Sequence, residues 1–301
     1  MQSTTVRRTA LAAALVAALS GVAACGSQEA RKDGKAAGGA AAVSPLAALR
    51  SASLSTDRAE SVKVRSTMSL GKLMETSATG SLAWGKDGQR GVMTTTYTGG
   101  ELAELMRKAD SATIEARYLP DAFYSKASDA FAKQTGGRHW IRYGYADLAK
   151  TGGSGSTAYA QDQARRSSPN QSVKLLLASG EVKKAGTETV DGVSATHYSG
   201  TVDVASLVAR SGGLTATQLS DVKSQLHQAG ITTETVDLWL DGRNLLVKME
   251  ERAKTANGAL VNTVHYSDYG VKVAVQAPPA DETKDFKDLL KSVKAGGGIA
   301  S

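Results

Sequence analysis

The chain has 301 residues, with 36 Lys and Arg against 29 Asp and Glu, a formal charge of +7, four His and one Cys. A single cysteine excludes an internal disulfide framework and a cysteine-built zinc site. The cations are interleaved with acids and form no basic block, which describes a solvated mixed surface and argues against a nucleic-acid partner.

Residues 1–24 read as a targeting segment. Arg7 and Arg8 give its positive start, and Ala10 to Leu19 is an apolar run too short to stay across a bilayer. The paired arginines leave the general secretory and twin-arginine routes both open. Val22-Ala23-Ala24-Cys25 resembles a bacterial lipobox, whose cysteine is acylated and becomes the first residue of the mature protein. The motif implies a lipid-anchored protein on the outer face of the cell membrane. From Gly26 to Val43 the chain is small and polar and cannot bury enough apolar surface to order itself. Residues 25–43 are therefore expected to be the lipidated Cys and a flexible tether, with a reach on the order of 25 Å.

A folded body is expected over 44–295, with 296–301 as a flexible tail. Ser44 as N-cap and Pro45 begin a short helix carrying Leu46 and Leu49 on one face. The period then changes to two: Val62, Val64, Met68 and Leu70 alternate with polar residues over 61–70. Strands over 76–86 and 90–98 flank the turn pair Asp87-Gly88, and Leu102, Leu105, Met106 and Ala109 have helical spacing. Further strands are expected at 112–119, 122–126 and 138–143, followed by a flexible Gly/Ser run at 151–157 that separates two halves of one sheet. Pro169 starts a helix that stops at Gly180.

In the second half, strands 181–190 and 193–202 form a hairpin around Asp191-Gly192. Thr215 and Gln218 make a capping box for a helix over 216–229. A meander follows over 231–240, 244–254, 259–268 and 271–276, with Asp241-Gly242 and Asn257-Gly258 at two turns. Pro278-Pro279 closes the sheet, and an amphipathic helix spans 281–294. About ten hairpin-linked strands with several amphipathic helices predict an α+β fold.

Enzymatic motifs are present only as fragments. Ser69-Leu70-Gly71-Lys72, Ser220-Asp221-Val222-Lys223 and Lys150-Thr151-Gly152 match two elements of the penicillin-binding serine enzymes, but in a strand, mid-helix and a Gly/Ser loop, where that chemistry does not work. His139, His197, His227 and His265 lack metal-ligand spacing. His197-Tyr198-Ser199 and His265-Tyr266-Ser267 repeat a tripeptide on two strands, which puts imidazole and phenol on opposite faces; two outward polar positions explain this more simply than a paired site. No catalytic residue, metal or cofactor is expected.

What remains is an apolar strand surface: Met68, Leu70, Leu82, Trp84, Met93 and Tyr97, then Ile114, Tyr118, Phe123 and Trp140, then Leu238, Leu240, Val247 and Met249. On composition alone such a surface is a filled core or a cavity wall.

Three stretches carry a family resemblance: the lipobox and tether; Ala122-Phe123-Tyr124-Ser125-Lys126 with Arg138-His139-Trp140-Ile141-Arg142; and Gly186 to Asp203, echoed by Tyr266-Ser267-Asp268-Tyr269-Gly270. The chain resembles the actinobacterial LppX/LprG-type lipoproteins, related in fold to the LolA and LolB carriers. The resemblance implies a single curved antiparallel sheet, a half-barrel, with helices covering its concave face. It also implies an apolar cavity that binds or carries a lipid or other hydrophobic molecule, without catalysis. The strand residues named above, with Leu176 from the helix at 169–179, are the expected wall, and the helices at 169–179 and 216–229 the expected lids. An envelope interaction or sensor module with a packed core and no ligand is the alternative. No protein partner is specified by the sequence.

Overall fold

Helix α1 (Pro45–Ala59) starts as its sequence dictates. The extended Ser44 accepts the Ala47 amide on its hydroxyl at 3.3 Å, and Pro45 occupies the first turn, where no amide is needed. Ala48, Leu49, Ala52 and Thr56, which share one face of the helix, are buried. The helix runs further than the short one expected and ends at Glu60, whose φ is 57°.

The computed structural model describes residues 44–86, 88–134, 136–151, 169–179, 181–203 and 230–294. The targeting segment, the lipobox, the tether, the helix expected at 216–229 and the tail lie outside the described residues, as does the Gly/Ser run beyond Thr151. The first run of strands is β1 (Ser61–Leu70), β2 (Met74–Ala83), β3 (Arg90–Gly99), β4 (Thr113–Tyr118), β5 (Ala122–Lys126) and β6 (Trp140–Gly144). Helices α2 (Gly100–Lys108), α3 (Asp129–Gln134) and α4 (Tyr145–Thr151) are interspersed with it. After α5 (Pro169–Ser179) comes the second run: β7 (Lys183–Val190), β8 (Val193–Asp203), β9 (Thr233–Leu240), β10 (Leu246–Thr255) and β11 (Gly258–Ser267). The described chain ends with β12 (Thr283–Asp285) and α6 (Phe286–Lys294).

The twelve strands of the described residues form one sheet in the order β12-β6-β5-β4-β3-β2-β1-β11-β10-β9-β8-β7. The sheet is open, and it is antiparallel except where β12 pairs with β6. This is the α+β architecture expected from the sequence. Register fixes the inner face: Val62 stands opposite Leu82, Leu82 opposite Gly91, Gly91 opposite Tyr118, and Tyr118 opposite Phe123. Helices α1 and α5 lie on that face, where Leu49, Val173 and Leu176 are fully buried against Val62, Leu82, Leu238 and Met249. Each such side chain contributes about 1.5–3 kcal/mol. Lys63, Arg65 and Thr67 point to the other, outer face and are exposed.

Two local expectations are corrected. Residues 271–276 alternate as a strand would, with half-buried Val271, Val273 and Val275 between exposed neighbours, yet they join no ladder. Instead the segment passes from Ser61, whose hydroxyl donates to the Val271 carbonyl at 2.7 Å, to Arg117, whose guanidinium reaches the Gln276 carbonyl. Alternation needs only a surface on one side, and the body supplies it. Pro278 and Pro279 do not close the sheet, because β12 follows and sets Thr283 opposite Trp140; the terminal helix accordingly begins at Phe286. Asp241-Gly242 lies at the turn expected there: the Asp241 carboxylate accepts the amides of Arg243 and Leu245 at 2.8 and 2.9 Å, and Asn244 takes the positive φ, 60°. Asp191-Gly192 does form the expected tight hairpin, with φ of 47° and 81°.

Candidate ligand cleft

An open cleft lies where β4 and β5 part. Their ladder covers only Ala116–Tyr118 against Phe123–Ser125. Beyond it, Thr113, Ile114 and Glu115 on one side and Lys126, Ala127 and Ser128 on the other line an open cleft of about 500 Å³. Two helices frame it. At the start of α2, Gly100 has a φ of 82° and lies so close to Leu73 that a Cβ would sit 2.7 Å from its carbonyl, so the β3-to-α2 bend requires glycine. With Ala103 fully buried, α2 then presents Met106 to the cleft, and the Ser111 amide closes the following turn on the Met106 carbonyl at 2.8 Å. On the other side Ser128 accepts the Phe131 amide on its hydroxyl at 3.3 Å, starting α3 so that Phe131 lines the cleft.

Ile141 and Tyr143 complete the apolar lining. Tyr143 stacks on Phe123 with centroids 4.5 Å apart and meets Phe286 at 4.8 Å, so the lining is rigidly backed. Burial pushes the Tyr118 and Tyr143 phenols up, and burial with the neighbouring Tyr118 and Asp121 pushes Tyr145 up to about 12. These phenols are neutral at pH 7, which leaves Glu115 and Lys126 as the charges of the cleft. Glu115 is held by Arg117 at 3.0 Å, and Arg117 also lies over the Trp140 ring at 4.4 Å. Among the described residues no group of three His, Cys, Asp or Glu could hold a metal ion.

The residues expected to form one wall are distributed over four places. Leu82, Met93, Leu176, Leu238, Leu240 and Met249 are buried in the packed core, with Trp84 and Tyr118 against it. Met68, Leu70 and Tyr97 are half-buried on the inner face. Ile114 lines the cleft, and Phe123 belongs to the aromatic stack behind it. Trp140 and Val247 lie on the outer side, in clusters with Ala122 and Tyr124, and with Val190, Ala195 and Trp239. Helix α5, expected as a lid, is seated in the core through Val173 and Leu176. Sequence reasoning missed Met106, Phe131, Ile141 and Tyr143 as lining; a hint lay in the Met106 and Phe131 positions flanking the β4–β5 pair.

The repeated tripeptides take up the expected opposition of faces. Tyr198 and Tyr266 enter the core, while His197 and His265 stand outside. His197 Nε2 is 2.8 Å from Asp237 Oδ1, its ring stacks on Trp239 at 4.3 Å, and Arg252 takes the other Asp237 oxygen at 2.6 Å. His265 Nδ1 lies 2.6 Å from Asp191. The Ser199 hydroxyl also bonds Asp237. These contacts tie the β7–β8 hairpin across the sheet.

Comparisons with known proteins then place the chain. No protein-family model matches it. An uncharacterized 31.2 kDa protein from the rplA-rplJ intergenic region of Streptomyces griseus is 47% identical over 259 residues, covering 86% of this chain and 84% of that protein. "Putative lipoprotein SCO4650" of Streptomyces coelicolor is 42% identical over 310 residues, covering 97% and 99%. The chain belongs to the family of these Streptomyces proteins. Among solved structures, it is similar to the Mycobacterium tuberculosis lipoprotein LppX, at 17% identity and a TM-score of 0.45 over 77% of this chain and 97% of that one. LprF from Mycobacterium bovis is likewise 17% identical, with a TM-score of 0.46 over 78% and 97%. LppX gives its name to the group whose hairpin texture this sequence resembles.

Proposed function

We propose that the protein is a cell-envelope lipoprotein, anchored by acylated Cys25 at the outer face of the membrane, that binds a lipid or other acyl-bearing molecule without catalysis. The body over 44–295 is the binding domain, and the tether lets it reach the bilayer. One observation carries the binding reading: an open cleft of about 500 Å³ whose lining includes Met106, Ile114, Phe131, Ile141 and Tyr143. The name of the Streptomyces coelicolor relative and the Val22–Cys25 motif support the anchor.

The packed core between α1, α5 and the sheet favours the alternative of a ligand-free interaction module over that half of the molecule. The two readings part at the cleft. Each methylene withdrawn from water contributes about 0.8 kcal/mol, so Ala127→Trp, displacing about three of them, should weaken palmitate binding roughly fifty-fold with little change in melting temperature. Equal binding by the variant and the parent protein places the ligand elsewhere, and no binding by either favours the module. Cys25→Ala should abolish incorporation of labelled palmitate and release the protein from membranes; unchanged membrane association contradicts the anchor.

A further inference from the structure

The cleft lies on a boundary within the sheet. Met106 and Ile114 line it from α2 and β4, whereas Phe131, Ile141 and Tyr143 line it from α3 and β6. The ladder that crosses the boundary joins only 116–118 to 123–125, while β3 pairs with β4 from Gly91 to Thr96 and β6 pairs with all of β5. Apolar packing divides at the same place. Tyr118 packs against the core under α1 and α5, whereas Ala122, Tyr124 and Trp140 form a separate cluster on the outer face. Beyond the boundary the elements are tied to one another. Arg142 on β6 bonds Asp121, just before β5, at 3.0 Å and Asp285 on β12 at 3.1 Å. Lys287 on α6 reaches Asp147 on α4 at 3.2 Å, and Phe286 rests on Tyr143. Across the boundary, the Arg117 guanidinium lies over the Trp140 ring at 4.4 Å and donates to the Gln276 carbonyl, on the segment leading to β12, at 3.4 Å.

We propose that β5, α3, β6, α4, β12 and α6 swing as one flap about the turn at 119–121, and that parting of the β4–β5 ladder widens the cleft to admit and release its ligand. This rests on the reading of the cleft as an acyl-chain site and adds to it the motion that serves that site. The turn closes one end of the hairpin, where the Leu119 amide donates to the Ala122 carbonyl at 2.9 Å, and the cleft lies at the other, so the ladder unzips from the cleft inward. A unit with its own internal ties and a short seam to the rest opens at a smaller cost than the whole fold. Arg117 is the latch on that seam, because opening draws it from the Trp140 face and from the Gln276 carbonyl.

Hydrogen exchange on the ligand-free full chain tests the motion. Amides of the β4–β5 ladder should exchange roughly tenfold faster than those of the β5–β6 and β1–β11 ladders, which the swing leaves paired. Arg117→Gln should speed the β4–β5 amides roughly tenfold further, the effect of losing a hydrogen bond from a charged group, with the β1–β11 amides unchanged. Ala116→Cys with Ser125→Cys staples the ladder near its open end, since directly opposed residues lie within disulfide reach and neither lines the cleft. The oxidised staple should slow palmitate association and release roughly tenfold, and reduction should restore both. Equal protection of all three ladders, β5–β6 amides that exchange as fast as β4–β5 amides, or a staple that leaves both rates unchanged overturns the flap while the acyl-chain reading stands. Failure of the parent protein to bind palmitate overturns the acyl-chain reading, and the exchange pattern then decides the motion by itself.

Discussion

Asp237 shows how one side chain can organise a sheet face. Burial works against its charge, but hydrogen bonds from Ser199, His197 and Arg252 outweigh it and hold the carboxyl below the usual carboxylate range. A carboxyl whose folded value is lowered stabilises the protein above its unfolded value near 3.9, and that stabilisation is lost as pH falls through the folded value. Asp237→Asn should therefore cost about 1–3 kcal/mol in urea unfolding at pH 7. The gap between variant and parent should shrink on acidification below about pH 4. A gap that stays constant down to pH 2 would show that the charge of Asp237 plays no part.

At the scale of elements, what was legible was what is decided locally. Ser44-Pro45 starts α1, Asp191-Gly192 turns β7 into β8, and alternation in 61–70 marks β1, because each depends on the conformational limits of a few adjacent residues. Sides were harder. Val247 falls at the register shift between Leu246 and Lys248, so counting by twos along β10 puts it on the wrong face. Trp140 begins a five-residue strand too short to declare its side, and the ladder sets it opposite Lys126 on the outer face. The cleft itself was not readable, because it arises where a ladder stops. Apart from Ile114, the residues of Thr113–Glu115 and Lys126–Ser128 are polar or small, and only the parting of β4 from β5 makes them a lining.

Across the described residues, the packed core and the open cleft occupy different regions of one sheet. The two sequential runs of strands join where β1 meets β11, with Val64 opposite Tyr266, and the packed core under α1 and α5 straddles that seam. The cleft lies within the first run, away from the seam, where α2 and α3 frame it. In the proposed reading a ligand would therefore enter and leave without opening the core. Photo-crosslinking with a diazirine-bearing palmitate, followed by peptide mass spectrometry on the full chain, tests this most directly. The account predicts label on Met106, Ile114, Ile141 or Tyr143 that unlabelled palmitate competes away. Competed label on Leu49, Leu176 or Leu238 beneath α1 and α5, or no competed label anywhere, would contradict it.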